Sequence, residues 1–120
     1  MKRRPMALIP ILLVASCSSP QMAKPNAKSG DEKRILETLE YVKEHHSHMN
    51  VSQADGRLLR ILAEAANAGH VVEIGTSTGY SGIWFCLALK RTGGKLTTYE
   101  IDMAVARTAR ENFARAGCED

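Results

Sequence analysis

The sequence predicts an α/β fold: the N-terminal portion of a doubly wound sheet, with two parallel strands and about four helices. Three observations predict it. From residue 31 onward the hydrophobic patterns run helix, helix, strand, helix, strand, helix. A glycine loop, Gly75-Thr-Ser-Thr-Gly79, joins the first strand to the third helix. The second strand ends near an acidic residue, Glu100, 21 residues after Gly79. Strand–helix–strand–helix order implies a parallel pair joined by a crossover, which opens a doubly wound sheet.

Each element has its own signal. Ser29 followed by Glu32 is a capping-box spacing, and Ile35, Leu36, Leu39 and Val42 then recur at helical period, so a first helix is expected over 31–45. Ser52 with Asp55 repeats the cap. Leu58, Ile61, Leu62 and Ala65 read as the apolar face of a second helix over 53–67, with Gly69 as its stop. Val71 to Ile74 is a short β-branched run and reads as a buried strand. The stretch 80–90 is apolar almost all round, with Ile83, Trp84, Phe85, Leu87 and Leu89, and predicts a helix buried on more than one side. Thr92-Gly93-Gly94 is a turn, Lys95 to Ile101 a second strand, and Met103 to Ala116 a fourth helix stopped by Gly117.

The 120 residues suffice for one domain. The net charge of +3 resides in Lys2, Arg3 and Arg4. Past them the basic residues equal the 13 acidic ones in number, so no nucleic-acid partner is expected. That basic start leads into an apolar run over 6–15, too short to span a bilayer and suited to a secretory signal peptide over 1–16. Val14-Ala15-Ser16-Cys17 resembles a bacterial lipobox, which implies a diacylated Cys17 and a lipid anchor at the cell envelope. If the signal is misassigned, the chain is cytoplasmic. Residues 17–30, rich in Pro and Ser, form a flexible tether and leave 31–120 as the domain. Cys86 falls inside an apolar helix as a small core residue, and its spacing to Cys118 does not argue for a bridge.

Ligands of doubly wound sheets sit outside the carboxyl ends of the strands, where Gly75 to Gly79 lies. An acidic residue at the next strand end accepts hydrogen bonds from ribose hydroxyls, the role expected of Glu100. A dinucleotide loop needs G-x-G-x-x-G so that pyrophosphate packs on bare backbone, but here the second and third glycine positions are Ser77 and Tyr80. A ligand with ribose and no phosphate fits better, and S-adenosylmethionine is such a ligand. Its sulfonium charge also suits Glu73.

Glu73-Ile-Gly75-Thr-Ser-Thr-Gly79-Tyr80-Ser81, then Tyr99-Glu100-Ile101-Asp102, resembles the class I, Rossmann-like methyltransferases of the catechol and caffeoyl-CoA O-methyltransferase group. The Met49-Asn50-Val51 triplet matches the same group. The resemblance covers about 31–120 and corresponds to a domain truncated before its third strand. It implies S-adenosylmethionine as cofactor, with Met49, Asn50 and Val51 on the methionine side. Glu73, Gly75, Ser77, Gly79, Tyr80 and Ser81 would surround the cofactor at the glycine loop, and Glu100 would hold the ribose. Ser77 departs from the glycine common in the wider class. A divalent metal such as magnesium, where used, is implied to bind residues after the third and fourth strands, together with a catalytic lysine. The expected partners are a small-molecule acceptor, the membrane through the lipid anchor, and a second copy in a homodimer. His45, His46 and His48 cluster at a helix end but lack a carboxylate or cysteine to complete a metal set. The alternative to an enzyme is a non-catalytic nucleoside-binding or interaction lipoprotein.

Overall fold

A computed structural model describes residues 29–119. The signal peptide, Cys17 and most of the tether lie outside the described residues. The elements are α1 (Gly30–His45), α2 (Gln53–Ala65), β1 (His70–Ile74), α3 (Tyr80–Thr92), β2 (Lys95–Tyr99) and α4 (Met103–Ala116). Their order is the expected one. The caps form as the spacing implies: Ser29 Oγ accepts from Glu32 N at 3.1 Å and Ser52 Oγ from Asp55 N at 3.1 Å. Asp102 caps α4 by accepting from the amides of Ala104 and Val105.

Three boundaries differ from expectation by two residues. α2 stops at Ala65 rather than 67 because Asn67 takes a left-handed conformation, φ 47°, while Ala68 N donates to Ala63 O. α3 runs two residues further, to Thr92, and ends on Gly93. β2 stops at Tyr99, short of Ile101, because Glu100 turns its carboxylate onto the amides of Ile101 and Asp102.

β1 and β2 pair in parallel, with Val71 opposite Leu96 and Glu73 opposite Thr98. Those four residues are partly covered, and the Leu96 side chain lies against Gly82 of α3. The alternate face carries Val72, Ile74 and Tyr99, each more than half exposed, so the sheet is layered on one side only and β1 is not the buried strand its β-branched run predicts. The core sits between helices: Ile35, Leu39 and Val42 of α1 meet Tyr80, Ile83, Trp84 and Leu87 of α3 and Ala116 of α4.

One expected face is corrected. Leu58, Ile61 and Leu62 are 52%, 60% and 56% exposed, and Ala65 is exposed as well. α2 instead packs on α3 through the small residues Gly56 and Ala63. The indole of Trp84 occupies the space where a side chain at Gly56 would stand. Arg60 completes this packed side: its guanidinium bonds Glu64 Oε1 and reaches α1 at Glu32 Oε1, each at 2.7 Å. Helical period located an amphipathic helix, but the close approach allowed by Gly56 decided which side faces inward.

Candidate cofactor site

The site is a loop pinned between two strand ends. Gly75 N and Thr76 N both donate to Tyr99 O, at 2.9 and 3.1 Å, which fixes the start of the loop to the end of β2. Gly79 N then donates to Thr76 O and closes the turn into α3. Gly75 has φ +89°, and a Cβ there would meet nothing within 4 Å. Glycine is required at 75 for backbone conformation, and it leaves bare main chain facing open space.

Ser77 holds the left-handed region at φ 50° without being glycine, at a cost of roughly 1 kcal/mol. Its surroundings compensate. Ser77 N donates to Glu100 Oε2 at 2.8 Å, and its hydroxyl lies 3.3 Å from Asn50 Oδ1 and 3.2 Å from His48 Nδ1. Asn50 is also tied to Thr78, whose hydroxyl is 2.9 Å from Asn50 Oδ1. Asn50 Nδ2 donates to His46 O. The segment before α2 is thereby laced to the glycine loop by side chains about 28 residues apart in the chain.

Glu100 accepts from three amides: Ser77 on Oε2, and Ile101 and Asp102 on Oε1. The Asp102 and Ser77 amides hold its carboxyl below the ordinary Glu range, so it is an anion throughout the neutral region. A carboxylate offers about four lone-pair positions, so capacity remains for a further donor.

Glu73 does different work. Its Oε1 accepts from Ser81 Oγ and its Oε2 from Thr98 Oγ1, and Thr98 in turn bonds Thr76. This chain ties β1, the start of α3, β2 and the loop together beneath the glycines. Tyr80 is 4% exposed and stands edge-on to Trp84 in the core, so its ring is a packing residue in this structure. Met49 is 87% exposed and Val51 sits at the surface beside Asn50. The structure therefore brings Asn50, Gly75, Ser77 and Glu100 together, sets Glu73 and Ser81 below them, and buries Tyr80. The three histidines do not converge: Nδ1 of His45 meets Tyr41 O, that of His46 meets Asn112 Oδ1, and that of His48 meets Ser77 Oγ. Among the described residues no three His, Cys, Asp or Glu side chains form a metal cluster.

Sequence reasoning missed Thr76, Thr78, Thr98 and Asn112. Asn112 is 1% exposed, donates to Thr78 O at 2.8 Å and receives His46 on its other end. The available signal was a polar residue on the stripe Ala109, Asn112, Ala116, three and four residues from its buried neighbours. Asn112→Ala is expected to cost about 2 kcal/mol, because Thr78 O loses its partner while still buried. Urea unfolding monitored by circular dichroism measures this, and a cost below about 0.5 kcal/mol would contradict the assignment.

Known proteins resemble this chain in sequence and fold. A catechol O-methyltransferase of Niastella koreensis is 41% identical over 69 residues, covering 58% of this chain and 31% of the relative. An O-methyltransferase of Bacillus cereus solved with SAH superposes with TM-score 0.61 at 32% identity, covering 72% of this chain and 39% of that one. TomG of Streptomyces achromogenes, an O-methyltransferase solved with SAM, gives TM-score 0.58 at 33% identity and the same coverage. The chain thus spans about a third of the length of the curated relatives it matches. The family model described as O-methyltransferase matches residues 26–120. On sequence and on fold, the chain belongs to the O-methyltransferase family.

Proposed function

We propose that residues 31–120 form the cofactor side of an S-adenosylmethionine-dependent O-methyltransferase acting on a small-molecule hydroxyl. One observation carries the reading: Glu100, at the end of β2, is clasped to the amide of Ser77 in the glycine loop. That clasp sets an anionic acceptor beside exposed main chain, the combination a ribose diol needs. The loop from Glu73 to Ser81 holds no Lys or Arg to balance phosphate, which favours a nucleoside without pyrophosphate. S-adenosylmethionine supplies an electrophilic methyl group when bound. The chain's own contribution is positioning. Glu100 orients the ribose, Gly75 permits close approach of the backbone, and Asn50 with Thr78 keeps the loop in register. Met49 and Val51, exposed beside Asn50, are available to the methionine end. In this reading the acceptor pocket, and magnesium ligands where a metal is used, come from segments beyond the two strand–helix units.

Calorimetric titration with S-adenosylhomocysteine in competition with NAD tests the cofactor class. Saturable binding that NAD does not displace is expected, and equal displacement by NAD would sink the reading. The pH profile follows from Glu100. Its folded carboxyl lies below the ordinary value of 4.5, so its ability to accept hydroxyls is present above that value. It is lost as pH falls through the lowered folded value. Affinity should therefore stay level from neutral pH to about 4.5 and fall only below it. A fall near pH 6.5 would instead implicate a histidine.

We also propose that the mature chain is lipid-anchored through Cys17 at a bacterial envelope. The support is the basic start, the short apolar run and the Val14-Ala15-Ser16-Cys17 sequence. Mass spectrometry of the native N-terminus should find a diacylglyceryl-modified Cys17, and an intact Met1 would end that proposal.

A further inference from the structure

Cys86 and Cys118 are 32 positions apart in the sequence but line one cavity of about 540 Å³ between α3, β2 and α4. No residue of the glycine loop lines it. Cys118 is held there by the fold. Its amide donates to Phe113 O, and Arg34 of α1 clamps the end of α4 by donating to Ala114 O and Arg115 O at 2.7 Å. The Cys118 side chain packs against the helical core, while Cys86 is buried within α3. Each thiol shifts the acidity of the other, Cys86 upward and Cys118 downward, and the Cys118 thiol lies 3.7 Å from Ala116 O. Lys90, Lys95 and Arg110 also line the cavity, against the acid Glu119.

We propose that Cys118 and Cys86 form an oxidisable dithiol that reacts with anionic low-molecular-weight disulfides, Cys118 as the attacking thiol and Cys86 as the resolving one. The asymmetry follows from position. Cys118 is partly exposed, and the Cys86 S–H, with Lys90 and Arg34 nearby, favours its thiolate. Cys86 keeps its proton because it is buried in α3 beside Cys118. The Cys118 thiolate attacks one sulfur of the disulfide; a Cys118–S bond forms, the reagent's S–S bond breaks, and one thiolate leaves. Cys86 gives up its proton, attacks Cys118 Sγ and expels the second thiol. Two electrons pass from the pair to the reagent, and two protons end on the two released thiols. The product staples α3 to the end of α4.

The test uses the full chain with Cys17→Ser, so that only these two thiols remain, and oxidised glutathione as the reagent. Mass spectrometry should show loss of two hydrogens and a Cys86–Cys118 peptide. Closure should be at least about tenfold faster in buffer than in concentrated urea, because the fold pre-aligns the pair. Cys86→Ser should stop at a glutathione adduct on Cys118, and Cys118→Ser should react about tenfold more slowly. A stable adduct on the Cys17→Ser chain without closure would overturn the proposal. So would closure no faster than in urea, or equal rates for the two single variants.

Discussion

Gly56→Val is expected to lower the stability of the domain by about 3 kcal/mol. A Cβ at 56 would collide with Cδ1 and Nε1 of Trp84 and lie 2.8 Å from its Cγ. Trp84 is 1% exposed and wedged among core residues, so it cannot swing aside without opening the core. Valine also gains little from helix propensity, being stiff at χ1 in a helix. The margin available to absorb the loss is narrow. The sheet is covered on one side, and Ile61, Leu62, Val72 and Ile74 remain in contact with water. Trp84 is the only tryptophan, so its fluorescence reports the site directly during urea unfolding. An unshifted midpoint would mean that α2 and α3 do not pack through Gly56.

Glu100→Ala is expected to weaken binding of S-adenosylhomocysteine at least about tenfold. With three amides already on the carboxylate, one position remains for a charge-assisted hydrogen bond from a ribose hydroxyl, and its loss corresponds to about a factor of ten or more in affinity. The substitution also releases the amide of Ser77, so the left-handed turn loses one of the contacts that compensate its strain. Glu100→Gln separates the two effects. Its amide oxygen can keep the Ile101 and Asp102 donors, while its NH₂ group is set against the Ser77 amide. Its affinity should fall between those of Glu100 and Ala. Calorimetric titration measures all three, and an alanine variant that binds like the original would remove Glu100 from the site.

The parts of this structure that were legible in the sequence are those decided locally. Ser29, Ser52 and Gly117 mark helix ends through contacts within a few residues, and the structure places them there. The spacing from Gly79 to Glu100 was legible because a helix and a short strand fix the chain length between loop and strand end. The inward face of α2 was not, because Gly56 and Ala63 give a weaker periodic signal than Leu58, Ile61 and Leu62. What decided the face was Trp84, 28 positions away, seen only once α3 is docked. The polar lacing of the loop was hidden for the same reason. Thr76 to Thr98, Thr78 to Asn50 and Asn112 to Thr78 span 22, 28 and 34 residues, and no local pattern announces them. Tyr80 opens the third helix as expected, but that its ring lies in the core edge-on to Trp84 was decided by tertiary packing.

The central claim is that the loop from Gly75 to Gly79 and Glu100 form one nucleoside site. Backbone NMR of the chain during addition of S-adenosylhomocysteine tests it most directly. The amides of Gly75, Thr76, Ser77, Ile101 and Asp102 should shift together along one saturation curve, Ser77 most strongly because its proton rests on the carboxylate that meets the ribose. Saturable shifts confined to other residues, or none in the folded chain, would contradict the account.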